Sequence, residues 1–151
     1  MSLIIGDKVP DFTLKDQNGE VFHIQSLVGK KIFVIYFYPK DYTPGCTRQA
    51  CSFRDHYEDF KELGAEVIGI SSDSEKMHQK FANTYKLPFI LLSDHKGRVR
   101  KLFGIPKALF GLLPGRETYV FNKEGEVEMV FNSMNATQHI QKVLMFLKNQ
   151  Q

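Results

Sequence analysis

Two cysteines, Cys46 and Cys51, stand five positions apart in the stretch Tyr38-Pro39-Lys40-Asp41-Tyr42-Thr43-Pro44-Gly45-Cys46-Thr47-Arg48-Gln49-Ala50-Cys51. Thr43 suits a helix N-cap and Pro44 the first helical position, so the pattern predicts a helix start with Cys46 in its first turn, facing backbone N–H groups that lack intrahelical partners. A free thiol titrates near pH ~8.5, and a helix N-terminus or a nearby cation favours the thiolate, the form that acts as a nucleophile. Without that helix start, a cysteine in such a chain reads as a small buried hydrophobe. On a regular helix Cys51 is turned about 140° from Cys46 and displaced about 7.5 Å along the axis, so the two sulfurs point apart. A disulfide needs Cα atoms within about 7 Å and converging Cβ vectors, so a bridge between them requires local unwinding.

Other chemistry is weighed against the same residues. The C-x-x-C spacing of thiol–disulfide oxidoreductases is absent. Cys46, Cys51 and His56 recur every five residues, but on a continuous helix they share no face and no fourth ligand is evident, so no metal is expected. His23, His78, His95 and His139 are scattered and read as surface or boundary side chains. A redox-controlled interaction protein, exposing apolar surface when oxidised, is compatible with any thiol chemistry at Cys46.

The elements that must position these sulfurs follow from periodicity. Lys31 to Tyr38 is a nearly unbroken apolar and aromatic run suited to a strand buried on both faces, and Glu66 to Ser71 repeats it. Between them, Phe53, Tyr57, Phe60 and Leu63 recur at spacings of three and four and Gly64 supplies a stop, which makes Gln49 to Leu63 helical and the whole a βαβ unit. Ser74 to Lys86 is predicted helical with Met77, Phe81 and Tyr85 on one face, Phe89 to Leu92 a short strand, and Gly97 to Phe103 a helix. Hairpins are expected from Asp11–Leu14 with Val21–Ile24 and from Glu117–Asn122 with Glu126–Phe131. A last helix spans about Ala136 to Lys148, capped by Asn135 or Thr137. The fold class is α/β, a central mixed sheet with helices on both faces. Cys46 then lies at the carboxyl end of the central strand, where such sheets place their sites. Gly104 to Gly115 is apolar and rich in turn formers, as a covering loop would be.

With 151 residues, 42% of them hydrophobic, the chain has the size of one domain, taken as 1–151. Twenty Lys and Arg against 17 Asp and Glu give a net charge of +3 with both signs interspersed, so nucleic acid is not an expected partner. The short basic stretch Lys96, Arg98, Arg100, Lys101 reads as a solvated helix face. No apolar run approaches the ~20 residues needed to span a bilayer, Met1 to Pro10 lacks the pattern of an export signal, and two cysteines are too few for a disulfide scaffold. A reducing, cytoplasmic setting is the expectation.

The residues around Cys46 also carry a family resemblance. Pro39, Thr43 and Cys46 reproduce the P-x-x-x-T-x-x-C signature of peroxiredoxins, and Arg116 in Gly115-Arg-Glu-Thr-Tyr-Val120 matches their distant active-site arginine. The spacing of Cys51 resembles that of the bacterioferritin comigratory protein, or peroxiredoxin Q, subgroup. The likeness runs from Gly6-Asp-Lys-Val-Pro-Asp-Phe-Thr-Leu14 through Val67 to Asp73 and on to the final helix. It implies a thioredoxin-like fold and a thiol-dependent peroxidase of antioxidant defence, acting on hydrogen peroxide and organic hydroperoxides. On that resemblance Cys46 is the peroxidatic and Cys51 the resolving cysteine, joined in a disulfide that a thioredoxin-like dithiol reduces. Pro39 would shield Cys46, Thr43 would hydrogen-bond thiolate or peroxide through its hydroxyl, and Arg116 would supply the cation. Gln49 stands where many members outside the subgroup have a glutamate that orients the arginine. No metal, haem, flavin or other cofactor is implied, and resemblance to the subgroup favours a monomer. Leu109 to Arg116 is similar to peroxiredoxin Q of photosynthetic lineages, which makes an organelle protein the alternative to a cytoplasmic one.

Overall fold

The computed structural model describes residues 2–105, 116–132 and 136–149. In chain order, a hairpin of β1 (Thr13–Asp16) and β2 (Val21–His23) leads to β3 (Ile32–Phe37), which α1 (Pro44–Asp55) and α2 (Tyr57–Glu62) connect to β4 (Ala65–Ser71). Next come α3 (Glu75–Tyr85), β5 (Ile90–Ser93), the short α4 (Arg98–Leu102), a hairpin of β6 (Glu117–Phe121) and β7 (Val127–Asn132), and α5 (Ala136–Lys148). The strands form one sheet in the order β2-β1-β5-β4-β3-β6-β7. Strands β3, β4 and β5 run parallel, and β1, β6 and β7 pair antiparallel with their neighbours. This is the mixed thioredoxin-like sheet expected, with the most apolar strand at its centre.

Alternation along β3 divides the core. Val34 and Tyr36 point to the face covered by α1, α2, α3 and α5, where Phe53, Phe60, Phe81 and Val143 are fully buried. Phe33, Ile35 and Phe37 point the other way, to Ile68, Tyr119 and Phe121 and to Phe103 beyond α4. Both faces are covered, but one carries four helices and the other a short helix and the chain's N-terminal segment.

Two expectations shift. The stretch from Gln49 to Leu63 is two helices, because the backbone leaves helical angles at His56 (φ −105°, ψ 9°). Phe53 and Phe60, one from each piece, still pack ring to ring at 5.5 Å on the sheet. The first hairpin strand begins two residues late and ends on Asp16, whose carboxylate accepts the amides of Asn18 and Glu20 and so closes the turn.

Candidate active site

Strand β3 ends at Phe37, and the next six residues carry the chain to α1. Thr43 occupies the N-cap and Pro44 the first helical position, so Cys46 falls in the first turn and is 1% exposed. The hydroxyl of Thr43 does not cap the helix. It donates to the Lys40 carbonyl at 2.8 Å, and among the described residues no side chain caps the helix start. The first intrahelical bond runs from Thr47 N–H to Thr43 C=O, which leaves the amides just before it as donors at the positive end of the helix dipole. Pro39, two residues past the strand, is half-buried.

Arg116 reaches this point through strand register. In the antiparallel pair β3–β6, Phe37 lies opposite Glu117, so the residue before β6 comes level with the end of β3 and the mouth of α1. Arg116 is buried, 3% exposed; Nη2 donates to Cys46 Sγ at 3.3 Å and Nη1 donates to Gln49 Oε1. A cation there binds a thiolate better than a thiol. Gln49 is fully buried one turn beyond Cys46, and its amide oxygen holds the arginine. Gly45 leaves room for the fork, since a Cβ on it would come within 3.2 Å of Nη2.

A second guanidinium lies nearby. Arg100 donates through Nη2 to the Tyr38 carbonyl at 3.1 Å and sits 5.5 Å over the Phe37 ring. Burial lowers its pKa, while the charges of Asp94, Glu117 and Cys46 oppose that shift. The expectation of a solvated basic face holds for Lys96, Arg98 and Lys101 and fails for Arg100, which is turned inward on α4. Alternation of charge with Val99 and Leu102 gave no sign of this, because a five-residue helix has no periodicity to read.

The loop before α1 is pinned from the side. Asp41 is 4% exposed; its Oδ1 accepts the Tyr38 hydroxyl, its Oδ2 lies 2.6 Å from His78 Nδ1, and its backbone N–H donates to Asp73 Oδ2 at 2.8 Å. His78 Nε2 is 2.9 Å from the Leu92 carbonyl. Tyr42 sits at φ 66°, a left-handed conformation that costs a bulky residue on the order of 1–2 kcal/mol. Its ring is held against Phe81 and Tyr85, with its hydroxyl 2.9 Å from that of Thr84. The reading of His78 and His139 as surface or boundary residues is therefore corrected, since both are fully buried. On α3 the buried face carries His78, Phe81 and Ala82, and the expected Met77 is 37% exposed. A histidine can take the core position because both ring nitrogens find partners there.

Asp41, Asp73 and His78 form the grouping of potential metal ligands among the described residues, with their ligand atoms within 4.8 Å of one another. Those atoms are engaged in hydrogen bonds: Asp73 Oδ2 accepts from Asp41 N–H and from the Ser71 hydroxyl, and the 2.6 Å between Asp41 and His78 leaves no room for an ion. Cys46, Cys51 and His56 are not gathered into such a group. Both cysteines are free thiols on the unbroken helix α1, Cys46 buried and Cys51 half-buried. The apolar stretch from Gly104 to Gly115 lies, apart from its first two residues, outside the described residues, as does Asn135, one of the two expected caps of α5; the other, Thr137, falls inside the helix.

A buried thiol at a helix start, at the carboxyl edge of a thioredoxin-like sheet and under a guanidinium, defines a thiol-dependent redox enzyme. The chain belongs to the AhpC/TSA family, whose model matches residues 5–130, and within it to the peroxiredoxins. It is 54% identical over 145 residues to peroxiredoxin Q, chloroplastic, of Sedum lineare, covering 95% of this chain and 77% of that protein. Among solved structures, peroxidoxin BcpB of Mycobacterium tuberculosis superposes with a TM-score of 0.87 at 37% identity, covering 96% of each chain. The bacterioferritin comigratory protein of Xanthomonas campestris, described for its alkyl peroxide reduction activity, superposes with a TM-score of 0.84 at 30% identity over 92% of this chain and 91% of that one. The word chloroplastic in the plant relative's name fits the organelle alternative and conflicts with a plain cytoplasmic setting. No helix among the described residues is long and apolar enough to cross a membrane.

Proposed function

We propose that Cys46 is the peroxidatic sulfur of a thiol peroxidase acting on hydrogen peroxide and organic hydroperoxides, with Cys51 as its resolving partner. The observation that carries this reading is the contact of Arg116 Nη2 with Cys46 Sγ at the uncapped start of α1. The thiolate attacks one peroxide oxygen, the O–O bond breaks, and the leaving oxygen takes a proton and departs as water or alcohol, leaving Cys46 as a sulfenic acid. Arg116 stays charged and offers donors in fixed directions, so it serves both the thiolate and the negative charge developing on the leaving oxygen. Gln49 holds that fork in place. The Thr43 hydroxyl, its proton committed to Lys40, is left as an acceptor for the peroxide O–H, and Pro39 screens the sulfur from water.

Both cysteines lie on one intact helix, so the second step requires the start of α1 to unwind. The Cys51 thiol then condenses with the sulfenic acid, water leaves, and a disulfide remains for an external thioredoxin-like dithiol to reduce. Organic hydroperoxides are included because the Xanthomonas relative reduces alkyl peroxides. The protein is taken to act as a monomer, which light scattering of the reduced form checks directly. Mass spectrometry after one equivalent of peroxide should show a Cys46–Cys51 disulfide; Cys51→Ser should stop at the sulfenic acid. Full peroxide consumption by reduced Cys46→Ser protein would refute the assignment.

A further inference from the structure

We propose that His78, acting through Asp41, is a positioning residue of the peroxidase reaction: it clamps the loop before α1 onto α3 and so sets how readily the start of α1 comes apart once Cys46 is oxidised. The proposal rests on the peroxidase reading above. His78 is fully buried 32 positions beyond the sulfur in sequence, and both of its ring nitrogens face acceptor atoms. The Leu92 carbonyl 2.9 Å from Nε2 can only accept, so Nε2 carries a hydrogen; Nδ1 and Asp41 Oδ2, 2.6 Å apart, then hold one further proton between them. The contact is a charge-assisted pair or its neutral equivalent, and it is dry on all sides. Other titratable groups at Asp41 are the Tyr38 hydroxyl, which donates to its Oδ1, and Asp73, which accepts its backbone N–H.

The consequence is mechanical. Asp41 lies five residues before Cys46, and its neighbour Tyr42 is kept in a left-handed conformation with its ring packed on Phe81 of the same helix α3. A backbone under that strain relaxes when its anchors are removed. Unwinding the start of α1 to bring Cys46 to Cys51 must move the segment that joins α1 to β3, and the anchors to His78 and Phe81 resist that movement. The clamp therefore favours the folded, peroxide-reactive arrangement and slows disulfide formation, lengthening the life of the sulfenic acid.

Rapid quenching of reduced protein with peroxide, followed by thiol alkylation and mass spectrometry, separates sulfenic acid, disulfide and overoxidised sulfinic acid over time. Asp41→Ala and His78→Leu should each speed the sulfenic-to-disulfide step on the order of tenfold, with a matching fall in sulfinic acid formed at high peroxide. Asp41→Asn, nearly isosteric and able to donate to Nδ1 while accepting from Tyr38, keeps the fold if the truncations do not, and should speed the step by only about two- to threefold. Ile68→Ala cuts the core on the opposite face of the sheet and reports what general destabilisation does; it should leave the partition unchanged. A disulfide step unaltered in all three clamp variants, or quickened equally by Ile68→Ala, overturns the proposal while leaving the peroxidase reading intact. Failure of the parent protein to consume peroxide would remove both.

Discussion

At the scale of single residues, the site turns on how one guanidinium serves two neighbours. Nη1 and Nη2 of Arg116 reach Gln49 Oε1 and Cys46 Sγ together, and only a planar fork spans both. Arg116→Lys keeps the charge but has a single ammonium, so the rate constant for peroxide should fall roughly a hundredfold, the usual cost of losing an aligned donor in an active site. Gln49→Leu leaves the fork its charge but not its anchor, and the loss should be nearer tenfold. Competition kinetics against a reference peroxidase reads both; a lysine variant within twofold of the parent would show that charge alone suffices. Cys46, Thr43 and Arg116 could all be singled out from spacing and motif. The resemblance marked the position of the acceptor that holds the arginine but not its role, because Gln49 stands where a glutamate was to be looked for. Arg100, His78 and Asp41 were hidden for a related reason: their partners are backbone carbonyls and side chains distant in sequence, and neither leaves a mark on local pattern.

At the scale of elements, the proposed cycle places two demands on α1. Its first turn has to present Cys46 to Arg116, and it has to release Cys46 toward Cys51. Gly45 sits between them, with helical backbone angles and a place for a Cβ only 3.2 Å from Arg116 Nη2. Gly45→Ala would strengthen the helix by up to about 1 kcal/mol while pressing on the guanidinium. Both the peroxide step and the disulfide step should therefore slow, the second through a more stable helix and the first through a displaced fork. Rapid-quench measurement of the two steps tests this, and a faster disulfide step would contradict it. The βαβ framework around α1 was legible because β3 and β4 are continuous apolar runs and the connecting helix repeats at three and four. The break at His56 was not, since Phe53, Tyr57 and Phe60 keep their periodicity across it. The approach of Arg116 needed the pairing of Phe37 with Glu117, and register is a property of two strands that neither contains alone.

At the scale of the whole molecule, the aromatic core beneath α1 ties stability to alkaline pH. Tyr36 and Tyr38 are fully buried and stack on each other at 5.3 Å, with Tyr36 also stacked on Phe53 at 4.6 Å. Burial raises both phenol pKa values well above 10.0, and the nearby Asp41 charge raises them further. Above pH ~10 the unfolded chain loses these protons and the folded chain keeps them, so the folded state binds more protons and stability falls as pH rises. Each phenol that stays neutral in the fold while its unfolded counterpart ionises takes stability away as the pH climbs, from a total of only roughly 5–15 kcal/mol that holds a domain together. The tyrosinate absorbance of Tyr36 and Tyr38 should therefore appear together with the loss of circular dichroism, as the two ionise through unfolding. Tyr36→Phe removes a buried hydroxyl that has no hydrogen-bond partner among the described residues, so it should raise the midpoint of that transition. An absorbance rise that is lost in Tyr36→Phe and Tyr38→Phe and that precedes the loss of structure would mean that these phenols ionise inside the fold, and that the core beneath Cys46 admits water.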